Sequence, residues 1–424
     1  MSAIEVKYPI CCGADIHKKL IVATIVTTDD NRISEYKTKS FTCLNSDIQA
    51  FHDWLIENNC KLVCMESTGK YWIPIFNLLE DDIDVRITHP KYVKAIKGKK
   101  TDIKDSKWIA DLFKCDLVKS SFIPPKDFRQ MREIARYRFK LVCMRSSEKN
   151  RLQNCMTVSN IGIDKVLTDP FGVTATEIIG YLLEHTDESI DPKAVKAMMR
   201  KGAKAKSDDI IKAIKGYKIE TDQAFKFNLA QDHLDYLTQA ITQTEVELYA
   251  RIAPYQSYVD YISTMPGITP LAAMIILAEI GVDMNVFQDA KNLTSWCGLA
   301  PACNESANKK KSTKIAKAGA YLKPLMVQCA LAAIKSKKQP YFANKYYRLK
   351  KRRGHKKALI AIARMMMTCI FHMISKSVVF NPSDYERTVN PQKRPIKVEL
   401  NSDNVMTWLS EQGYDINTLV KRQD

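Results

Sequence analysis

Residues 10 to 27 read Ile10-Cys11-Cys12-Gly13-Ala14-Asp15-Ile16-His17-Lys18-Lys19-Leu20-Ile21-Val22-Ala23-Thr24-Ile25-Val26-Thr27. Two apolar, β-branched runs, 10–16 and 20–27, flank a polar His-Lys-Lys step, the pattern of two strands joined by a tight turn. Inside the first run stands Asp15, a charge for which an otherwise apolar strand offers no structural reason. Outward from this pair, 46–58 has the apolar spacing of an amphipathic helix, with Ser46 as its expected N-cap. Short apolar runs at 62–65 and 85–88 read as further strands, and 71–79 and 101–114 as further helices, the latter expected to bury Trp108, Ile109 and Leu112. Strands alternating with helices over 1–125 indicate a mixed α/β domain.

The rest of the chain reads differently. Long helices are expected at 127–156 and 222–253, bracketing a smaller insert at 161–216, which indicates a helical hairpin or coiled-coil arm over 126–258. A mainly helical segment, 259–378, follows, with helices at 270–280, 320–334 and 357–374 and a polar loop at 301–314. Residues 379–424 look like a charge-balanced appendage. The turn Met265-Pro266-Gly267-Ile268-Thr269 fits two readings, a plain turn or one presenting backbone N–H groups to a phosphate.

The 424-residue chain has 65 Lys and Arg against 47 Asp and Glu, a formal charge of +18. The composition is 46% hydrophobic and 26% charged, which excludes collagen-like and wholly disordered chains. The charge is uneven: residues 1–125 carry an excess of +1, whereas 259–375 carry +14. From Ser306 to Ser383 there are 19 Lys or Arg and no acid, so a polyanion is the expected partner, and nucleic acid is the usual one. The apolar stretch 358–374 falls short of the roughly 20 residues that span a bilayer. With no apolar core of a secretory signal at its start, the protein is expected in the cytoplasm, with no membrane partner. The 12 cysteines form no C-x-x-C pair and are expected as reduced thiols rather than a zinc site.

Four carboxylates of the first domain sit where chemistry can use them. Glu66 follows the strand 62–65 directly, and Asp102 and Asp105 share one face at the start of a helix. With Asp15 they can converge at a sheet edge and hold two hard cations about 4 Å apart, the arrangement that suits Mg²⁺ and phosphodiester chemistry.

These residues also carry a resemblance. Cys12-Gly13-Ala14-Asp15-Ile16-His17-Lys18, Met65-Glu66-Ser67-Thr68-Gly69 and Lys100-Thr101-Asp102-Ile103-Lys104-Asp105, in that order, resemble the DEDD transposases of the insertion-sequence 110 family. Met265-Pro266-Gly267-Ile268, Gly298-Leu299-Ala300-Pro301 and Lys317-Ala318-Gly319-Ala320-Tyr321-Leu322 extend the likeness along roughly residues 10–335. The resemblance implies a RuvC-like, ribonuclease-H-type first domain, a coiled-coil arm and a mainly α transposase domain with a nucleophilic serine. It also implies a Mg²⁺-dependent DNA recombinase of a mobile element in a prokaryotic cell, nucleoid-associated when active. By the same resemblance, a structured bridge RNA would pair with target and donor DNA, and dimers would assemble into tetramers with composite active sites. Asp15, Glu66, Asp102 and Asp105 occupy the DEDD positions and would bind the metal as two ions. Ser306 aligns with the second serine of the family's Ser-Ser-Gly-Gly loop, here Glu305-Ser306-Ala307-Asn308, and Ser312 is the alternative nucleophile.

The expected nucleic-acid contacts are Lys309, Lys310, Lys311, Lys314 and Lys317 beside the serine. Arg348, Lys350, Lys351, Arg352 and Arg353 follow downstream, and Arg136 and Arg138 lie on the first long helix. The competing enzyme reading is a junction-resolving nuclease that uses the same acids with water as nucleophile.

Overall fold

The computed structural model describes residues 5–67, 69–90, 93, 101–118, 120–186, 190–301, 304–306, 309–312, 315, 318–390 and 402–415. The chain divides into two compact units, Met1–Pro125 and Lys126–Asp424.

The first unit is built on a five-stranded sheet. Strands β1 (Ile10–Ile16), β2 (Leu20–Thr28) and β3 (Ser34–Thr42) are joined by helix α1 (Asn45–Glu57) to β4 (Leu62–Glu66), and α2 (Trp72–Leu79) leads to β5 (Asp84–Thr88). The order across the sheet is β3-β2-β1-β4-β5. β1, β2 and β3 are antiparallel, and β4 and β5 run parallel to β1 and to each other. The His17 N–H donates to the Leu20 carbonyl at 2.8 Å and closes the tight turn that the sequence indicates.

Because strand side chains alternate faces, β1 feeds two cores. Cys12, Ala14 and Ile16 pack with Phe51, Leu55 and Leu79 of α1 and α2 on one side. Cys11 packs with Ile109, Ala110 and Phe113 of α3 (Asp102–Lys114) on the other. Helix α3 buries Ser106, Ile109, Ala110 and Phe113, while Trp108 and Leu112, expected inside, are half-buried.

Strand β3 is absent from the sequence reading, and its position explains why. It is the sheet's edge, and Lys37 and Lys39 point to solvent, so it lacks the apolar run of an inner strand. Helix α1 begins at Asn45 with Leu44 at the cap position, not Ser46.

The second unit opens with α4 (Lys126–Val158) and continues through α5 (Val173–Glu184), α6 (Pro192–Met198), α7 (Lys201–Lys204) and α8 (Ser207–Ile214) to α9 (Thr221–Ile252). Arg138 meets Glu245, and Arg151 and His233 meet the same Glu148, so α4 and α9 pack antiparallel. The short helices between them close a separate core around Ile178, Leu182 and Ile210. Helix α10 (Gln256–Ser263) runs across residues 258 and 259. Beyond it come α11 (Pro270–Ile280), α12 (Ala290–Trp296), α13 (Leu322–Ala333), α14 (Tyr341–Arg353) and α15 (His355–Lys376).

The segment expected as the polar loop 301–314 contains a hairpin, β6 (Asn304–Ser306) and β7 (Lys309–Ser312), paired antiparallel. Its lysines hide it from a reading that looks for apolar alternation. The apolar stretch that was expected to fall short of a membrane span lies in α15, whose 22 residues do pass that test by length and composition. Half of its apolar window is buried inside the fold.

Candidate active site

The acidic site grows from a close approach of backbones. Gly13 lies on the face of β1 that α3 covers, and a Cβ there would meet the Ala110 nitrogen at 2.3 Å and the Ser106 carbonyl oxygen at 2.4 Å. Only glycine lets the helix lie that close. The contact is clamped by Ser106 Oγ and Thr24 Oγ1, 2.8 Å apart and buried, with Thr24 directly opposite Gly13 on β2.

One turn before Ser106 stands Asp102, and two residues beyond Gly13 stands Asp15, so the close approach brings the two carboxylates to the same edge. Thr101 caps the helix, its hydroxyl accepting from the Lys104 N–H, which fixes the first turn that carries Asp102 and Asp105.

Asp15 is 5% exposed. Burial raises its carboxyl above the ordinary range, Asp102 and Asp105 push the same way, and His17 opposes them. The His17 Nε2 lies 3.2 Å from Asp15 Oδ2 and 3.5 Å from Asp102 Oδ1. The ligand atoms of Asp15, His17 and Asp102 all fall within 4.8 Å of one another, the single such cluster among the described residues.

Glu66 joins through strand register. Ala14 pairs with Met65, so Asp15 and Glu66 each follow that pair by one residue on adjacent parallel strands. Both alternate to the α3 face, and Glu66 is half-buried there. Two of the other three expected acids, Asp102 and Asp105, thus act on the charge of Asp15, and the third, Glu66, is its register neighbour.

His17 is the member that sequence reasoning missed. Its signal was the period of two: residue 17 follows 13 and 15 at strand spacing, one residue past the end of β1. A buried carboxylate raised by burial and by two further carboxylates favours added positive charge beside it. The oxygen donors fit a hard divalent cation.

Ser306 ends β6, and its backbone pairs with Lys309 of β7. Ser312 pairs with Asn304. Lys309, Lys310 and Lys311 lie in β7, while Ala307, Asn308, Lys314 and Lys317 fall outside the described residues. The hairpin's stem is a second backbone clasp. Pro301 bridges to Ile315. Gly298 and Gly319 both have positive φ, and a Cβ on either would strike the facing backbone, at Ala318 and at Cys297 respectively. The two Gly-containing motifs on either side of the serine therefore lock together beneath it.

The Pro266-Gly267 turn packs tightly as well, since a Cβ at Gly267 would meet the Cys329 carbonyl at 2.4 Å, and Thr269 caps α11.

Arg348, Lys350, Lys351, Arg352 and Arg353 lie on α14, at its basic C-terminal end. Arg136 and Arg138 are engaged within the fold. Arg136 grips the buried Glu279 through two hydrogen bonds of 2.8 and 2.9 Å, and Arg138 donates to Glu245 at 2.8 Å. Arg132 binds the carbonyls of Ala278 and Glu279, and burial pulls its guanidinium down to about 10. These arginines tie α4 to α11 and α9.

Residues 12–161 match the family model of the IS110 DEDD transposases, described as a transposase. Residues 259–347 match the model described as transposase, IS116/IS110/IS902 family. Together the two matches cover more than half of the chain, and no curated protein matches it.

Proposed function

The chain belongs to the IS110 family of transposases, and on that premise we propose that it is a bridge-RNA-guided DNA recombinase that cuts through a serine nucleophile. The observation that carries the reading is the convergence of Asp15 and Asp102 at one sheet edge. In support, the sheet has three antiparallel strands followed by two parallel ones, as expected of a ribonuclease-H-type RuvC-like domain at 1–125. In this reading 126–258 is the coiled-coil arm, 259–378 the transposase domain and 379–424 an appendage.

Asp15, Glu66, Asp102 and Asp105 hold the divalent ions. Mg²⁺, when bound, lowers the cost of the negative charge that builds on the phosphodiester and its leaving oxygen. The protein's own part is orientation: Gly13 and the Ser106–Thr24 clamp set the spacing of the acids, and Thr101 fixes the turn that carries two of them. The Ser306 Oγ loses its proton and bonds to phosphorus as the ester bond to the leaving sugar oxygen breaks. That oxygen then takes up a proton, and a phosphoserine link preserves the bond energy for strand exchange. The basic hairpin and the end of α14 neutralise phosphates of DNA and RNA. Homodimers pairing into a tetramer bring the serine of one subunit to the acids of another.

The test uses the purified protein with its guide RNA and a DNA substrate. Wild type forms a protein–DNA adduct in Mg²⁺, and neither Asp15→Asn nor Ser306→Ala forms one. Cleavage without an adduct by Ser306→Ala would move the reading to a nuclease with water as nucleophile. Normal cleavage by Asp15→Asn would remove the metal assignment.

A further inference from the structure

The second unit contains a groove used neither by the acidic cluster nor by the serine strand. It is a cavity of about 1140 Å³ between the hairpin stem and one face of α15. Leu299, Pro301 and Ile315 form the stem wall.

The α15 face is unusual for a core helix. Its other stripe, including Leu359, Ile362, Ala363 and Met366, is buried. On the groove side Ile360, Ala361, Met365 and Thr368 recur at helical spacing and are only partly covered. Around this apolar floor stand Arg353, Lys356, Lys357 and Arg364, all exposed. No carboxylate among the described residues lines the groove. Lys345, which does line it, is already neutralised by Asp384 at 2.6 Å.

An apolar floor ringed by cations with no carboxylate partner among the described residues fits a ligand that is planar and apolar in one part and anionic in the next. An unpaired nucleotide has that form, its base resting on apolar side chains and its phosphates meeting cations. A paired duplex keeps its bases stacked inside and would leave the floor uncovered. The stem identifies which nucleic acid comes here. Ser306 follows Pro301 by five residues, at most about 17 Å of extended chain, so the groove is within reach of a strand bound at the serine.

Resting on the transposase reading above, we propose that this groove takes an unpaired segment of the DNA strand being cut, with a base against Ile360 and Met365 and the flanking phosphates on Arg353, Lys356, Lys357 and Arg364. The contact would hold the strand open beside the serine and keep it in register after cleavage.

The test is binding by the full-length protein in EDTA, which takes the metal site out of the measurement. The probe is a 12-nucleotide single-stranded DNA with one 2-aminopurine, and the same sequence as RNA and as duplex DNA provides the other arms. Wild type binds the single strand and brightens the 2-aminopurine as its base leaves the stack. Lys357→Ala with Arg364→Ala, both on exposed residues, weakens that binding about tenfold and leaves the melting temperature in place. Ala361→Trp fills the floor and abolishes the brightening.

Unchanged single-strand affinity and unchanged brightening in the charge variant would overturn the proposal, whatever the folding of Ala361→Trp. So would an effect of the variants on the RNA arm alone or on the duplex arm alone. Because Ser306→Ala should bind this probe like wild type, failure of the serine mechanism and failure of the groove show separately.

Discussion

The acid-bearing edge of the first unit and the serine-bearing hairpin of the second are both built on glycines at which backbones nearly touch, yet they are held in place by different physics. At the acidic edge, Gly13 lies beneath a helix with a hydrophobic core on either side of its sheet, and Asp15 is fixed with the core. At the hairpin, Gly298 and Gly319 clasp the base of a two-stranded ribbon rich in lysine. Such a ribbon has little hydrophobic support of its own. The comparison teaches that the acidic edge is set by a core on either side of its sheet, whereas the hairpin is held by the clasp at its stem.

The largest effect that tests this contrast is on chemistry. Asp15→Asn should lower Mg²⁺-dependent cleavage roughly 10³-fold, since a ligand to the ions is worth several kcal/mol of transition-state stabilisation. DNA binding measured by anisotropy should stay near wild type. Loss of both together would mean that the acidic edge also holds the DNA.

Next come the two clasps. Gly13→Ala should cost about 1–3 kcal/mol of stability, because the added carbon forces α3 off the sheet, and thermal unfolding of the first unit reads it. Gly319→Ala should abolish recombination while changing the melting temperature far less, because its strain is confined to the hairpin stem. Equal losses of stability in the two variants would erase the distinction between core-held and stem-held sites.

The arginines of α4 supply a control within the second unit. Glu279→Gln should destabilise by about 3 kcal/mol, by leaving buried guanidinium charge without its partner. If Arg136 served nucleic acid instead, the same change would tighten DNA binding at unchanged stability.

The smallest effect is electrostatic. Asp15 has a folded-state pKa raised above the unfolded one, so the fold binds its proton more tightly. Without divalent ions, stability should therefore fall as pH rises from about 4 through the raised value. Mg²⁺ at ten times its dissociation constant should restore about 1.4 kcal/mol at neutral pH. Asp15→Asn should show neither the pH slope nor the gain, and calorimetry across pH measures both.

How far the sequence carries these sites follows the same division. β1, β2, β4, β5 and α3 were legible because apolar runs mark them, and Asp15 stood out because a buried strand gives a charge no other reason to be there. β3 was illegible because an edge strand is polar on the side that faces solvent. The hairpin was illegible because its ladder is made by backbone groups, which lysine side chains do not advertise. His17 was visible only as one residue in a period of two. The carboxylate partners of Arg136 and Arg138, Glu279 and Glu245, were illegible because they lie more than 100 residues away in the chain. The groove beside α15 left a trace in composition, the acid-free run from Ser306 to Ser383, but its apolar floor appears only once the hairpin stem is set against the helix.

The central claim is that the edge formed by Asp15 and Asp102 is a divalent-metal centre. Anomalous diffraction from Mn²⁺-soaked crystals tests it most directly. The account predicts peaks at coordination distance, about 2.1 Å, from carboxylate oxygens of Asp15 and Asp102, with the His17 ring turned aside. Peaks elsewhere, or none at this edge with the His17–Asp15 and His17–Asp102 contacts intact, would contradict it.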